Sequence, residues 1–282
     1  MSVPDYCAGM FSRLILIFSF ILMTLPMVSW ADAPSLPRSV KLAYDAYAGS
    51  FYVMSAEVEM ELKDGQYSIA TNSKTEGFAA WMFSWTSHVK TEGRREEAVL
   101  TPIHHRVESH WNDRNQVVQL RYEDKNPIVA KLEPPSDSNR RDPVPENLRG
   151  NTVDPLTMTA NLVLGMASGG GCEGNFRVFD GRRRYDMNIF HGVTDELQEH
   201  SSALYSGEAQ TCAIELKRIA GFWKKSTKAG TPLLAPTLWM ASPLEGAPAV
   251  PVKFAAYSSY GSFRIHLTRF QMDDEVIELE KD

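Results

Sequence analysis

The stretch Met54-Ser55-Ala56-Glu57-Val58-Glu59-Met60-Glu61-Leu62 alternates apolar and polar residues without a break. Successive side chains of a β-strand point to opposite faces, so this alternation predicts a strand with one buried face and one solvated face. The pair Asp64-Gly65 follows, and Asp-Gly is typical of the tight turn of a β-hairpin. The stretch therefore predicts the first strand of a hairpin in an antiparallel sheet.

The same alternation recurs along the chain. It predicts further strands at about 40–48, 66–74, 81–91, 103–111, 117–122, 175–179, 184–190, 203–206, 211–219, 250–258 and 263–270. One helix is expected, because Asp154 can cap it, Pro155 suits its first turn, and an apolar run follows. The proline-rich residues 134–145 predict an irregular segment between these elements.

The N-terminal region has the layout of a secretory signal peptide. Residues 14–28 form an apolar stretch that follows Arg13 and precedes small residues. We expect cleavage after Ala31, which leaves an exported, soluble protein; an uncleaved anchor is the alternative. No later segment approaches the ~20 apolar residues that cross a bilayer, so we expect a chain that does not span the membrane once processed.

Cleavage of residues 1–31 would remove Cys7 and leave Cys172 and Cys212 in an oxidising compartment. An even number of cysteines in an exported chain predicts a disulfide. Both cysteines share the alternation phase of apolar neighbours, which predicts that both thiols point inward. A redox-active pair is the alternative, but it would need a Cys-x-x-Cys motif or an exposed, basic cysteine.

These observations predict an all-β fold with one minor helix. We expect a curled antiparallel sheet that forms a barrel or β-spiral stapled by one disulfide, because a long open sheet exposes edges that invite aggregation. The expected domain covers residues 32–270, and an acidic, disordered tail is expected over residues 271–282. The helix that begins at Asp154 is expected to plug or pack against an opening of the barrel.

Charge excludes one class of partner. The chain has 29 Lys and Arg residues against 35 Asp and Glu residues, a net charge of −6. This balance argues against nucleic acid, because phosphate binding needs a concentrated basic surface. The one basic run, Arg182-Arg183-Arg184, follows an Asp180-Gly181 turn. It predicts either a solvated hairpin end or a partner patch for anionic headgroups or glycan carboxylates.

The sequence carries no catalytic or metal-binding signature. Ser87-His88-Val89-Lys90 matches Ser-x-x-Lys, but in a strand its serine and lysine point to opposite faces. His104 and His110 would lie about 20 Å apart along one strand, too far to share an ion. A polar outer face explains these histidines better. We therefore predict no enzyme, metal or cofactor, and a hydrolase assembled only by folding is the third hypothesis.

Four aromatic residues are the candidate lining of a ligand pocket. Trp81, Phe83 and Trp85 share one face of a predicted strand, and Trp111 is expected to point inward from a nearby strand. They predict an apolar cavity for an acyl chain or the lipid of a lipoprotein. The alternative is an ordinary core that these large side chains fill, since filled and hollow barrels share one sequence pattern.

Several motifs together carry a family resemblance. They are Asp154-Pro155-Leu156-Thr157, Phe179-Asp180-Gly181-Arg182-Arg183-Arg184-Tyr185-Asp186, Tyr205-Ser206-Gly207, Ile219-Ala220-Gly221, Leu238-Trp239-Met240-Ala241 and Pro251-Val252. Over residues 38 to 270 the chain resembles a bacterial periplasmic family known as domain of unknown function 3108. More distantly, it resembles an alphaproteobacterial envelope-integrity family that folds as a spiral-like β-barrel with one disulfide.

The resemblance implies a periplasmic protein that supports the cell envelope, and it transfers no catalytic residue. Two hypotheses follow for its activity. The first is a non-enzymatic protein that binds a hydrophobic ligand, an envelope lipid or a lipoprotein, in a cavity. The second is a scaffold with a filled core that recognises peptidoglycan or envelope-assembly proteins on its outer surface. The first hypothesis predicts a cavity lined by the Trp81–Trp85 face. The second predicts no cavity and a patch around Arg182–Arg184, and the hydrolase predicts buried carboxylates with perturbed pKa values.

Overall fold

The computed structural model describes residues 38–123, 125–224, 234–258 and 261–280, which belong to one compact unit. The expected signal peptide, residues 1–31, lies outside the described residues. The strands are β1 Ser39–Ala48, β2 Phe51–Lys63, β3 Gln66–Thr75, β4 Trp85–Glu96, β5 Val99–Trp111, β6 Arg114–Glu123, β7 Asn126–Glu133, β8 Gly174–Phe179, β9 Arg184–Leu197, β10 Gly207–Ala220, β11 Leu234–Ala241, β12 Val250–Ser258, β13 Gly261–Met272 and β14 Glu275–Glu278. The helices are α1 Gly77–Met82 and α2 Pro155–Ala167, with a 3₁₀ turn at Glu146–Leu148.

The strands form one antiparallel sheet that nearly closes into a barrel. Their order is β7-β6-β5-β4-β3-β2-β1-β13-β12-β11-β10-β9-β8, and β14 pairs with β13. The pairing of β1 with β13 joins the first seven strands to the later ones. Strands β7 and β8 stand at the two ends of this order. The predicted curled antiparallel sheet with one disulfide is confirmed.

Strand β2 contains the alternating stretch from Met54 to Leu62, and it pairs with β1 on one side and β3 on the other. The even-numbered residues from Met54 to Leu62 line an internal cavity. Its glutamates face outward, where Glu59 forms an ion pair with Lys41 at 2.6 Å. Asp64 and Gly65 both have positive φ, 50° and 72°, as the expected hairpin turn requires.

The structure corrects several element boundaries. The strand expected over residues 81–91 begins only at Trp85, because residues 77–82 form helix α1. Strands β7 and β11 were not predicted. The expected disordered tail is wrong for residues 271–278, since β13 continues to Met272 and β14 follows. Ile277 of β14 packs against the core cluster that contains Phe270, which gives this segment a reason to stay ordered.

The disulfide joins Cys172, in the loop before β8, to Cys212 of β10, with a Cα–Cα distance of 5.8 Å. Both cysteines are buried, and Met158 and Leu162 of α2 belong to the same core cluster. The bridge therefore holds the end of the α2–β8 connection against the sheet. The predicted disulfide and the inward direction of both thiols are confirmed.

The connection between β9 and β10 folds over β13, where a strand had been expected at residues 203–206. The backbone N–H of Leu204 donates to the carbonyl of Leu267 at 2.8 Å. The ring of His200 stacks on the ring of His266, with centroids 5.5 Å apart. Burial, helped by the nearby charges of His200, Lys253 and Arg264, lowers the pKa of His266 to about 4.

Removal of the disulfide should destabilise the fold. A Cys172→Ala/Cys212→Ala variant should lose about 3–4 kcal/mol of unfolding free energy, because the bridge closes a loop of 40 residues in the unfolded chain. Urea denaturation of the variant, and of the wild type with and without reductant, measures this loss. A loss below about 1 kcal/mol in both the variant and the reduced protein would contradict a stabilising role.

His266 should make the protein less stable in acid. The unfolded chain takes up a proton near pH 6.5 but the folded chain only near pH 4, so stability should fall as the pH drops between these values. The loss should be on the order of 2–3 kcal/mol. A His266→Asn variant should show a flatter dependence in urea melts from pH 7 to 4.5; equal slopes would refute the assignment.

Candidate functional site

An apolar cavity of about 400 Å³ lies inside the sheet. One wall is the inward face of β2, formed by Met54, Ala56, Val58, Met60 and Leu62. Further lining comes from β1, β3, β11, β12, β13 and the residue Pro248. None of the described residues that line the cavity is charged. The interior of this sheet is therefore hollow along β1 and β2.

The space exists because small side chains stand where a filled barrel needs large ones. Ala46 of β1, Ala56 of β2 and Ala160 of α2 all face the cavity. Their short side chains reach little of the distance between the sheet and the helix. A dense core is the norm in proteins, and an apolar space of this size suits an apolar occupant.

Helix α2 forms another wall of the cavity, and most of its residues are apolar, which is typical of a helix enclosed by protein. Met158 and Leu162 pack on the disulfide cluster, while Leu164 packs on Tyr67 and Leu100. Leu156, Thr159, Ala160, Val163 and Leu164 line the cavity. Some side chains of this helix therefore pack on the disulfide cluster, and others line the cavity.

A buried polar cluster positions the start of α2. Asp154 is fully buried, and its Oδ1 accepts hydrogen bonds from the backbone N–H groups of Leu156 and Thr157 at 3.0 and 3.1 Å. The hydroxyl of Thr91, on β4, donates to the same oxygen at 2.8 Å. The Thr157 hydroxyl donates to Oδ2 at 2.5 Å. The predicted helix cap therefore also ties the helix to the sheet.

His105 of β5 completes this cluster. Its Nδ1 lies 2.8 Å from Thr91 Oγ1 and 3.3 Å from Asp154 Oδ1. Since the Thr91 proton goes to Asp154, the Nδ1–H of His105 donates to Thr91. The Thr157 proton is likewise committed to Asp154, so Tyr67 Oη donates to Thr157 Oγ1 across 2.7 Å. Six donors from β3, β4, β5 and α2 thus converge on one carboxylate and its two threonines.

The carboxylate stays ionised in this setting. Burial alone raises the pKa of Asp154, but the close approach of His105 Nδ1 and the hydrogen bonds from Thr157 outweigh it and lower the pKa below its usual value. Burial, with the Asp154 charge, raises the pKa of Tyr67, which keeps this phenol protonated as a donor. The cluster is a structural anchor, because its members are enclosed by the core.

Sequence reasoning missed this cluster. Thr91, His105 and Asp154 are far apart in the chain, and no motif links them. One signal was present: His105 shares the phase of Ile103 and Val107 on β5, opposite to His104 and His110. A histidine in the apolar phase of a strand indicates a buried ring with a dedicated partner.

The four aromatic residues predicted to line the pocket do not line it. Trp81 lies on α1 and is exposed, while Phe83 stacks on Trp111 with centroids 5.2 Å apart. Trp85 begins β4 and pairs in register with Trp111, the last residue of β5. The prediction assumed that one strand carried residues 81, 83 and 85. The helical turn at residues 77–82 ends that alternation and turns Trp81 outward.

The arginine run does not form one exposed patch. Arg184 is buried and forms an ion pair with Asp186 at 2.6 Å, and Arg183 bonds Asp180 at 2.7 Å. Arg182 Nη2 donates to the carbonyls of Glu133 and Pro134, at 2.9 and 3.0 Å, where β7 ends. The β8–β9 turn therefore bridges the two ends of the sheet order, which we call the seam.

Gly181 explains why this turn packs inward instead of pointing to solvent. Its φ is +87°, and a Cβ there would lie 2.2 Å from the Val118 side chain of β6. Phe179, at the end of β8, shares a core cluster with Val118 and Leu120. The arginine run therefore helps to close the sheet at the seam and does not form the one exposed patch that was predicted.

The part of the chain that the structure describes has neither a metal-ion site of the usual protein ligands nor a membrane-spanning helix. No group of His, Cys, Asp and Glu side chains there is arranged to hold a metal ion. No helix among residues 38–123, 125–224, 234–258 and 261–280 is long and apolar enough to cross a membrane.

Comparison with known proteins supports the fold. A family model described as "Protein of unknown function (DUF3108)" matches residues 43–268. No curated protein matches the chain. The crystal structure of a β-barrel-like protein of domain of unknown function DUF1849 from Brucella abortus resembles it with a TM-score of 0.50 and 12% identity, over 86% of this chain and 100% of that one. At this identity the likeness shows the fold alone.

Loss of the Asp154 carboxylate should release the start of α2 from the sheet and so destabilise the protein. An Asp154→Ala variant should lose about 3 kcal/mol of unfolding free energy, because it removes the helix cap and leaves buried donors without an acceptor. Urea denaturation measures the loss. Asp137→Ala is the matched control: Asp137 is exposed and accepts one turn hydrogen bond from Asn139, so its loss should stay below about 1 kcal/mol. Similar losses in both variants would contradict the anchor.

Proposed function

The chain belongs to the DUF3108 family, whose function is unknown, and we propose that it binds the acyl chain of an envelope lipid or lipoprotein in the apolar cavity. The observation that carries this proposal is the cavity itself, which has an apolar lining and a volume of about 400 Å³. Pockets for small molecules commonly span about 300–1,000 Å³ and bury most of the ligand surface.

The lining selects the chemistry of the ligand. A charged headgroup inside this cavity would lose its hydration without a counter-charge, because no described lining residue is ionic. A hydrocarbon chain has no such cost, and each buried CH₂ contributes about 0.8 kcal/mol. A dozen buried methylenes would then supply on the order of 10 kcal/mol before the entropic cost of binding. The headgroup should stay outside.

We place this activity in the periplasm and regard it as binding without catalysis. A disulfide such as Cys172–Cys212 persists in oxidising compartments, which favours export. The buried pair of His105 and Asp154 positions the start of a helix and is enclosed by the core, so it offers a substrate no access. The filled-core scaffold has less support, because the interior is hollow and Arg182 acts at the seam.

Filling the cavity should abolish binding. Ala56→Trp places an indole among the β2 lining residues, and we expect at least tenfold weaker binding of a fatty acid that carries an environment-sensitive fluorophore. Ala70→Trp is the matched control, because Ala70 pairs with outward-facing Glu59 on the neighbouring strand. Fluorescence titration of the processed protein, purified without detergent, measures both affinities.

Two results would refute the proposal. One is a wild-type protein that binds no fluorescent fatty acid although circular dichroism and urea melts show it folded. The other is equal affinity in the Ala56→Trp and Ala70→Trp variants. Mass spectrometry of a solvent extract from the same wild-type preparation then identifies the acyl chain that the cell supplies.

A further inference from the structure

Helix α1 presents three large apolar side chains to solvent. Phe78, Trp81 and Met82 are 59%, 80% and 63% exposed. The helix has the sequence Gly77-Phe78-Ala79-Ala80-Trp81-Met82 and carries no charged side chain. We call these three exposed residues the aromatic tip. Single exposed apolar residues are ordinary, but a group of this kind on one short turn marks an interaction site.

The aromatic tip is rigidly mounted. The N–H of Glu76 donates to the Val53 carbonyl of β2 at 2.9 Å, directly before the helix. Behind the helix, Ser84 and Asn112 exchange hydrogen bonds at 2.8 and 3.0 Å. Gly77 has φ +53°, and a Cβ there would lie 2.6 Å from the Tyr52 carbonyl oxygen. Close packing of the helix base therefore holds the three side chains outward.

The aromatic tip stands at the end of the sheet where the cavity lining begins. Val53, which accepts the Glu76 hydrogen bond, precedes the lining residue Met54. Exposed Phe51 begins the same strand, and exposed Tyr257 lies near the end of β12, three residues after the lining residue Phe254. The start of β2 and the end of β12 lie at the same end of the sheet. There Ala48, the last residue of β1, pairs with Phe263 of β13, and Ser258, the last residue of β12, pairs with Gly261 of β13.

Size favours a lipid surface over a protein partner. A helix of six residues is about 9 Å long, and its three exposed side chains can bury at most about 600 Å². A stable protein interface needs roughly 800 Å² from each partner. A bilayer needs no matched surface, and tryptophan and phenylalanine settle at the boundary of headgroups and acyl chains.

Charge does not oppose this contact. Glu76, the acidic residue next to the helix, lies 2.9 Å from Lys74, which offsets its charge. Exposed Arg114 follows the β5–β6 turn and pairs in register with Trp111, where its guanidinium can meet lipid phosphate. Asp113 stands beside it in the turn, so the attraction should come from the apolar side chains more than from net charge.

We propose that the aromatic tip docks the protein on a membrane surface and so brings the near end of the cavity to the source of its acyl ligand. This inference rests on the proposed function, since docking explains how a lipid reaches a cavity whose described lining carries no ionic group. Trp81, which the sequence suggested as pocket lining, then contacts the membrane from outside the cavity.

Vesicle binding tests the proposal. The processed protein is sedimented with vesicles of phosphatidylethanolamine and phosphatidylglycerol. Phe78→Ser/Trp81→Ser should reduce the bound fraction at least fivefold. Val193→Ser/Leu216→Ser is the control, because it removes exposed apolar side chains from β9 and β10 and should leave binding unchanged. In the wild type, tryptophan emission should shift to shorter wavelength with vesicles, and the Phe78→Ser/Trp81→Ser variant should lose this shift.

The test separates this inference from the proposed function. The Phe78→Ser/Trp81→Ser variant should bind soluble fluorescent fatty acid as the wild type does, since its cavity is unchanged. Wild-type protein that binds the fatty acid but not vesicles would overturn the docking and leave the cavity function standing. Vesicle binding without fatty-acid binding would instead contradict the proposed binding of an acyl chain in the cavity. A third outcome is a wild-type dimer that becomes monomeric in this variant, as measured by light scattering. The aromatic tip would then bind a second copy of the chain, and the membrane proposal would be overturned.

Discussion

The buried carboxylate of Asp154 is the constraint on which the interior of this protein depends. It caps α2 and accepts the Thr91 hydroxyl of β4, so the helix starts at a fixed point on the sheet. An ionised group in a protein core is stable only with enough donors around it, and His105 and Thr157 complete that set. Because α2 forms one wall of the cavity, this polar cluster also positions that wall.

The cavity combines two different kinds of wall. The β2 wall follows from strict alternation, which turns every second side chain inward whether or not anything fills the space. The α2 wall depends on an apolar helix held at a distance by its cap and by the disulfide cluster, with alanines facing the gap. Large aromatic side chains that could have filled this space are placed on the rim instead, where Trp81 is exposed and Phe83 stacks on Trp111.

The motif that carries most of the family resemblance proves to be a closure device. Gly181 lets the β8–β9 turn approach Val118, and Arg182 bonds two carbonyls at the end of β7. The Brucella β-barrel-like protein shares the fold at 12% identity. In this chain these residues close the sheet, whereas the described residues that line the cavity all lie outside the motif.

The sequence by itself determined the properties that have a local period or a simple count. Alternation placed most strands, Asp154-Pro155 marked the start of α2, and the two cysteines outside the expected signal peptide predicted their bridge. Tertiary structure alone decided what depends on distant partners. Gly77 meets Tyr52 and starts a helical turn where alternation favoured a strand. Thr91 and His105 meet Asp154 only after the sheet curls, and a hollow interior differs from a filled one by packing that no strand period records.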